Sequence, residues 1–456
     1  MMSIKDFFII CCIFNHVGTS AIWFNERVAI GADQRNHWCL PVVMGIVLKC
    51  SNPIVRVVKK YDVLVIGGGI FGVTAAVELA KRKYKVGLLN PDTLPHHMAA
   101  STDVTKAVRM EYGSDREYFR MAERSIQLWR EWNNVFGKEL YHEVGFLMLY
   151  RKSIESGEQS FEKFSYRELL RNGYEVEQLS SSEIQKRFPA VNAQTYSEAI
   201  YNPIGGYANA TLTLTTLMAH ARELGVHIHE GQTVNRIDTD ANMVKGVGTM
   251  ENEKYAADRI LVAAGPHTPV LVPELQPYMK STGHPVFWLR PNDTKKFSGE
   301  NFPVFTADIS NTGWYGFPYL EEQGIVKLAK HSNGSEIDPE KGDRRVTDAE
   351  VEEMRSFVKE SFPGLANAPL VYTRRCLYTD TLDGHFWIDN HPAIKGLSVS
   401  SGGSGHGLKM APLLGPMAAD IVEGKTHEFS NRYRWRHLTK DTVQVEEARY
   451  VIDRRI

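Results

Sequence analysis

Residues 61–72, YDVLVIGGGIFG, decide the fold of this chain. The first six are a short apolar run, typical of a buried parallel strand, and the glycines follow at once. Residues 73–83 then predict an amphipathic helix, and residues 85–89 predict a second strand. The pattern therefore indicates a βαβ unit with a glycine-rich turn between its first strand and its helix.

The three glycines Gly67, Gly69 and Gly72 fit a G-x-G-x-x-G pattern. The first permits a tight turn, the second lets the backbone approach a pyrophosphate, and the third lets the helix pack closely on the strand. A purely structural turn is the alternative, but the position between strand and helix favours a dinucleotide, with its phosphates at the helix N-terminus.

Asn90 follows the end of the second predicted strand, at the position where an acidic residue usually binds the ribose hydroxyls. Asparagine can still hydrogen-bond a hydroxyl, although without the charge. Asp92 would reach the same place only after a small shift of the loop. No arginine adjoins Asn90 to accept a 2′-phosphate, so the sequence disfavours NADP.

The rest of the chain alternates between two kinds of pattern. Segments of buried-strand and helix character return after the βαβ unit, at residues 212–224, 226–231, 234–239, 259–265, 397–400 and 413–423. Residues 145–199 and 270–371 instead suit an antiparallel sheet with covering helices, one of them acidic, at residues 347–361. We therefore expect domains that are discontinuous in sequence.

Length, composition and charge limit the classes of function that the chain can have. A chain of 456 residues is long for one hydrophobic core, and 43% hydrophobic with 23% charged residues is ordinary for a globular protein. The 53 basic and 54 acidic residues nearly cancel, which predicts no nucleic-acid partner. The histidines are scattered without zinc-like spacing, so no metal site is expected.

The first 57 residues are set apart from the rest. They hold four of the five cysteines, which leaves Cys376 alone in the body, so no internal disulfide is expected and a cytoplasmic location is allowed. Residues 7–14, FFIICCIF, are too short to span a bilayer. They predict either a disordered extension, which we favour, or a signal-like segment of an exported protein.

Three further stretches carry a family resemblance. They are residues 100–109 (ASTDVTKAVR), residues 315–318 (YGFP) leading to 327–331 (KLAKH), and residues 376–379 (CLYT) followed by 383–386 (DGHF) and 404–409 (SGHGLK). Together with the glycine loop, they make residues 58–428 resemble the monomeric sarcosine oxidase family of FAD-dependent amine oxidases. That family also includes N-methyltryptophan, pipecolate and fructosyl-amino-acid oxidases.

The resemblance implies an α/β fold like that of D-amino-acid oxidase. A Rossmann-type FAD-binding domain would be interleaved with a substrate domain built on an antiparallel or mixed β-sheet. The expected boundaries are 58–145, 198–270 and 372–440 for the FAD-binding domain, 146–197 and 271–371 for the substrate domain, and 441–456 for a C-terminal tail.

The resemblance also implies a covalent bond between FAD and Cys376. A thiolate is the nucleophile such a bond needs, and Arg374 and Arg375 would favour it; an inert buried cysteine is the alternative. The full set of expected cofactor-binding residues is Gly67, Gly69, Ile70, Phe71, Gly72, Asn90, Ser101, Thr102, Lys106, Val234, Cys376, Gly405, His406, Gly407 and Lys409.

Five residues take catalytic or substrate-binding roles by the same resemblance. Lys327 would face the flavin and activate oxygen, although by composition alone it would be a surface lysine on a strand. Arg109 and Lys409 would hold the substrate carboxylate, and the alternative for Arg109 is an ion pair with Glu111 or Asp103. Tyr315 and His331 would line the substrate side of the flavin.

The chain departs from the family where a pair of histidines often follows the second strand. Residues 101–103 are Ser-Thr-Asp here, Lys330 stands where an aromatic residue is common, and one extra residue separates Pro318 from Lys327. The pocket therefore differs near the flavin, and the expected substrate is an amine bearing a carboxylate rather than sarcosine in particular.

The expected reaction is oxidation of a C–N bond in amino-acid catabolism. The neutral amine would pass a hydride equivalent to the flavin, water would hydrolyse the imine, and O2 would be reduced to hydrogen peroxide. The alternatives are a dehydrogenase that uses a quinone or a carrier protein, an oxidase of fructosyl-amino acids, pipecolate or saccharopine, and a flavin-binding protein without turnover. We expect a monomer without a membrane span.

Overall fold

The computed structural model describes residues 58–156, 160–439 and 448–449. The predictions for residues 1–57 and for most of the tail fall outside the described residues. Within the described ranges, no helix is long and apolar enough to cross a membrane.

Strands and helices alternate along the described chain. The strands are β1 (Lys59–Ile66), β2 (Val86–Leu89), β3 (Thr105–Val108), β4 (Tyr141–His142), β5 (Phe146–Tyr150), β6 (Glu177–Ser180), β7 (Glu198–Asn202), β8 (Gly206–Asn209), β9 (His227–His229), β10 (Val234–Asp240), β11 (Met243–Thr249), β12 (Lys254–Val262), β13 (Met279–Leu289), β14 (Val304–Ala307), β15 (Trp314–Leu320), β16 (Ile325–Lys330), β17 (Ser335–Glu336), β18 (Leu370–Thr381), β19 (Trp387–Asn390) and β20 (Leu397–Ser401). The helices are α1 (Ile70–Lys81), α2 (Arg116–Phe136), α3 (Phe161–Arg171), α4 (Ser181–Arg187), α5 (Ala210–Glu223), α6 (Thr268–Leu271), α7 (Ile309–Thr312), α8 (Asp348–Ser361) and α9 (Ala411–Val422).

The first sheet is the predicted Rossmann-type sheet. Its parallel core runs β20–β12–β1–β2–β9, and the antiparallel strands β10, β11 and β19 extend its margins. Helices α5 and α9 pack beside α1, whose apolar residues are buried. Because β1 and β2 are apolar on both faces, they suit a sheet that is covered on both sides.

Helix α1 begins at Ile70, three residues before the predicted start. Gly69 caps it in an extended conformation, with φ −77° and ψ −177°, so Gly72 falls within the first turn. The glycine loop and the helix N-terminus are therefore one continuous structure. The acidic helix α8 lies where it was predicted, with Thr347 as its N-cap and Glu350 completing a capping box.

The second sheet is the predicted antiparallel or mixed sheet, in the order β17–β13–β16–β15–β14–β5–β7–β6, and β18 pairs with the other edge of β13. Two of its strands lie in segments that the sequence assigned to the FAD-binding domain. Strand β7 pairs with β5 and β6, and β18 pairs with β13 along almost its whole length. Backbone pairing thus moves residues 198–202 and 372–381 into the second sheet.

A small third sheet joins β3, β8 and β4. It holds Lys106 in β3, and Arg109 follows directly after the strand. Two residues of the predicted C-terminal tail are also buried: Ala448 is 0% exposed and Arg449 is 8% exposed.

Candidate active site

A cavity of about 580 Å³ lies at the carboxyl ends of β1, β2 and β12. In an open parallel sheet this edge is where ligands bind. The glycine loop forms one side of this larger cavity, and Asn90, Val234 and the backbone of residues 263–265 continue it. The predicted nucleotide-binding residues Gly67, Gly69, Ile70, Phe71, Asn90, Ser101 and Val234 all line it.

The glycine loop leaves no room for side chains at two of its positions. A Cβ on Gly67 would lie 2.4 Å from the Ala263 carbonyl oxygen, and Gly67 has φ +107°. A Cβ on Gly72 would lie 1.9 Å from the Gly67 carbonyl oxygen. The loop can therefore bring its backbone against a phosphate only with glycine at these positions.

Two polar side chains hold the loop in place. The Asn90 Oδ1 accepts a hydrogen bond from the Gly68 N–H at 3.0 Å, and its Nδ2 donates to the Asp92 carbonyl at 2.8 Å. The Ser101 hydroxyl accepts a hydrogen bond from the Ile70 N–H at 3.0 Å. Asn90 and Ser101 thus shape the loop as well as lining the larger cavity. Thr102 does not line that cavity, and its hydroxyl donates to the carbonyls of His96 and Ala99.

A smaller cavity of about 60 Å³ adjoins the larger one. Seven predicted site residues meet in its walls: Lys106, Arg109, Tyr315, His331, Gly405, His406 and Lys409. Four residues line both cavities, and we call them the shared wall: Lys106, Tyr378, Gly405 and Leu408.

Arg109 and Lys409 approach the same aromatic ring in the smaller cavity. The Arg109 guanidinium lies 5.3 Å and the Lys409 Nζ 4.7 Å from the centre of the Tyr112 ring. Both side chains are over 90% buried. Two desolvated cations on one small cavity form a site suited to an anion.

Both carboxylates considered as partners of Arg109 also contact other side chains. Asp103 binds the two lysines described below, and Glu111 Oε1 accepts a hydrogen bond from the Asn202 Nδ2 at 2.7 Å. Burial raises the pKa of Glu111, although that hydrogen bond and the Arg109 charge oppose the shift.

Lys327 lines neither cavity. Its buried Nζ lies 2.5 Å from both Asp103 Oδ2 and the Thr105 carbonyl oxygen. Burial lowers the pKa of Lys327 to about 8, although Asp103 opposes that shift. In this structure Lys327 thus contacts Asp103 and the backbone at Thr105, and its role facing the flavin stays a prediction.

Lys106 is the lysine that reaches both cavities. Its Nζ lies 3.2 Å from Asp103 Oδ2 and 3.8 Å from the Cys376 Sγ. Burial would lower the pKa of Lys106, but negative charge on Cys376 and Asp103 raises it above its ordinary value. Asp103 thus holds both lysines, and their charges, with that of Arg374, keep its own pKa well below the usual range against the effect of burial.

Cys376 is fully buried beside the shared wall. The two arginines expected to favour its thiolate have other partners, since Arg374 donates to the Ala99 carbonyl at 2.5 Å and Arg375 binds the Glu350 carboxylate at 2.5 Å. Alternation along β18 directs Arg375 to the opposite face from Cys376. Lys106 contacts the Cys376 sulfur instead, and the sequence did not predict that contact.

Residues 402–407 form a tight loop between the cavities. A Cβ on Gly405, which has φ +82°, would lie 2.4 Å from the Tyr378 ring. His406 is fixed by the Tyr112 hydroxyl at 3.1 Å from Nδ1 and by the Gly384 carbonyl at 3.2 Å from Nε2. Gly407 lines the larger cavity.

Three residues of the site escaped the sequence analysis. Tyr378 lies two positions after Cys376 in a strand, so period-two alternation could have placed both on one face. Asp103 is three residues from Lys106, so local spacing could have paired these two, whereas its contact with Lys327 and the contact of Tyr112 with His406 join distant parts of the chain.

Comparisons with known proteins agree with this geometry. A family model described as FAD dependent oxidoreductase matches residues 62–421. The chain is 30% identical to monomeric sarcosine oxidase from Bacillus sp. (strain B-0618) over 395 residues, which cover 84% of this chain and 98% of that protein. It is 29% identical to human peroxisomal sarcosine oxidase over 368 residues, covering 79% and 92% of the two chains.

Solved structures show the same fold. Fructosyl peptide oxidase from E. terrenum superposes with a TM-score of 0.75 at 21% identity, covering 86% of this chain and 96% of that one. Glycine oxidase from Geobacillus kaustophilus gives a TM-score of 0.72 at 21% identity, covering 84% and 100%. Since sequence, family match and fold agree, the chain belongs to the family of FAD-dependent oxidoreductases.

Proposed function

We propose that the protein oxidises the C–N bond of a small secondary or N-substituted amino acid. One observation carries the proposal: Arg109 and Lys409 line a small cavity that shares a wall with the larger cavity beside the glycine loop. A carboxylate held by these cations places the amine of the same molecule within a few bonds of the shared wall. Orienting the substrate in this way is a main contribution of the protein to chemistry that a cofactor carries out.

The larger cavity fits FAD. The glycine loop presents backbone at the N-terminus of α1, and the cavity continues from Asn90 and Val234 past the loop to the shared wall. FAD bound there would supply the two-electron acceptor for the amine. The chain's own residues bind the carboxylate, exclude water and provide the electrostatic field.

The size of the smaller cavity supports a small substrate. At roughly 10–15 Å³ per water-sized group, its volume of about 60 Å³ holds about four to six such groups. A small N-methyl amino acid such as sarcosine has a matching size, whereas fructosyl-amino acids and saccharopine are much larger. Several relatives carry related names, among them N-methyl-L-tryptophan oxidase from Salmonella heidelberg and L-saccharopine oxidase from Schizosaccharomyces pombe.

Lys106 and Lys327 take complementary roles in the proposal. Lys106 provides the positive charge at the shared wall, where it stabilises negative charge that develops on the cofactor side or on oxygen. Lys327 does not line the shared wall, but it binds the same Asp103 carboxylate as Lys106. Its positive charge therefore offsets part of the negative charge of Asp103. The covalent bond between Cys376 and FAD remains part of the proposal, with Lys106 beside the sulfur favouring the thiolate.

A substrate screen tests the proposal. Purified protein is supplied with sarcosine, other N-methyl amino acids, pipecolate, saccharopine and glycated amino acids, and hydrogen peroxide is measured. We expect peroxide from the small secondary amino acids. Absorbance of the bound FAD is followed anaerobically in parallel, because bleaching by substrate followed by slow recovery in air would identify a dehydrogenase. No bleaching with any of these amines would refute the proposed function.

A further inference from the structure

Arg449 forms a buried cluster at the back of the shared wall. It donates from Nη1 to Asp380 Oδ2 at 2.9 Å and from Nη2 to Asp380 Oδ1 at 3.0 Å. Its Nη2 also donates to the Ser404 carbonyl at 2.9 Å. The neighbouring Ala448 belongs to an apolar cluster with Phe146 and Ile309, which line the smaller cavity.

The Ser404 carbonyl belongs to the loop that separates the two cavities. Ser404 has φ +41°, a left-handed conformation that is unfavourable for a residue with a side chain. Gly405 follows it and packs against the Tyr378 ring. A guanidinium bonded to the Ser404 carbonyl therefore holds the backbone at the point where the loop meets the shared wall.

The Asp380 carboxylate supports the other side of the same wall. The Thr282 hydroxyl donates to Asp380 Oδ2 at 2.6 Å and contacts His284 Nε2 at 3.0 Å. The His284 ring stacks on Tyr378 with 3.9 Å between ring centres. Burial lowers the pKa of His284 to about 3, so the ring stays neutral. Of these two neighbours of Asp380, Arg449 is therefore the one that carries a positive charge.

We propose that Arg449 is a positioning residue that fixes the shared wall, and with it the distance between FAD and the bound amine. The Arg449–Asp380 pair reaches Gly405 through Ser404 and reaches Tyr378 through Thr282 and His284. Two of the four residues of the shared wall thus depend on one guanidinium. This inference rests on the proposed function for its catalytic consequence, but not for its structural one.

The principal variant removes the ion pair without leaving an unpaired charge. In Arg449→Met with Asp380→Leu, apolar side chains replace both partners, an exchange that buried pairs often tolerate. We expect a folded protein whose kcat falls about 10- to 100-fold, as misplacement of reacting groups by about 1 Å produces. KM changes less than threefold, because Arg109 and Lys409 are untouched.

A second readout does not require turnover. Visible circular dichroism of bound FAD, and its absorbance change on titration with acetate as a small carboxylate, report the cofactor's surroundings directly. Both should change in the double variant. Arg449→Lys, which keeps the charge but not three hydrogen bonds, should give an intermediate change and decides the matter if the double variant does not fold.

Two controls separate positioning from general stability. Arg82 binds Asp420 and Glu423 at 2.7 Å near the far end of α1, so Arg82→Met should lower the melting temperature but leave kcat and the FAD spectra unchanged. Chains ending at Tyr450 and at Ala448 both keep Ala448 in its apolar cluster, and only the shorter one, which lacks Arg449, should show the spectral change.

Parent-like FAD spectra and kcat in both the double variant and Arg449→Lys would overturn the inference. If the unaltered protein oxidises no amine, the proposed function fails, and the FAD spectra still test the positioning role of Arg449.

Discussion

Replacing Arg109 is the most direct test of the carboxylate site. A planar guanidinium can give a carboxylate two charge-assisted hydrogen bonds, and each such bond contributes about 1.5–3 kcal/mol. We take a net loss of about 3 kcal/mol for Arg109→Met, since Lys409 remains beside the same ring. At about 1.4 kcal/mol for each factor of ten, kcat/KM should fall about 100-fold.

Arg109→Lys keeps the positive charge but loses the planar pair of N–H donors that can bind both carboxylate oxygens. One charge-assisted bond then survives, and the expected fall in kcat/KM is about tenfold. The comparison separates charge from geometry in the substrate site.

The assay compares each variant with a carboxylate substrate and with the corresponding amide. The amide lacks the charge that Arg109 would bind, so its kcat/KM should change less than twofold. Glu111 needs its own control, because the loss of Arg109 removes a neighbouring cation from a buried carboxyl group whose pKa is already raised by burial. Arg109→Met combined with Glu111→Gln should give the same 100-fold loss. Equal losses for the acid and the amide would refute the carboxylate role.

Three further outcomes are expected. FAD should remain bound to acid-denatured parent protein and be released from Cys376→Ala, as judged by the yellow colour of the pellet; release from the parent would contradict the covalent bond. Burial lowers the pKa of Lys327 from 10.5 to about 8 in the folded protein. Between these two pH values the lysine is protonated in the unfolded chain and mostly neutral in the folded one. The free energy of unfolding should therefore rise with pH across that range. The rise should be absent from Lys327→Met in urea unfolding, and an identical profile would contradict it. Gly405→Ala should change the visible circular dichroism of bound FAD, because its Cβ would overlap the Tyr378 ring, whereas Gly424→Ala, which has φ +74° but meets nothing within 4 Å, should give the parent spectrum.

Much of the fold could be predicted because its signals are local. The apolar run before Gly67, the glycine spacing and the following helix are all contained in about thirty residues, and each has a direct physical meaning. The capping box of Thr347 and Glu350 is similarly local. The division into two sheets was harder, because strand β18 is assigned by its partner β13, which lies about ninety residues earlier in the chain.

The site shows the same contrast. Motif matches brought Arg109, Tyr315, His331 and Lys409 to one cavity, but they could not show which lysine reaches its surface. Both lysines bind Asp103, but only Lys106 also lines the two cavities, and the contact between Asp103 and Lys327 joins residues far apart in the chain. Such long-range pairings leave no periodicity in the sequence. The burial of Arg449 is another instance, since its partners are 69 and 45 residues away.

Strand β18 has a consequence for how this architecture can be divided. Almost the whole strand pairs with β13 in the second sheet, and three of its residues, Leu377, Tyr378 and Thr379, also line the larger cavity. Excising either half of the protein would cut this strand or strip it of its neighbour. We therefore expect no modular exchange of the two halves between relatives: sequence changes that alter amine preference must arise by point substitution or loop insertion around an intact β18, rather than by recombination at a boundary.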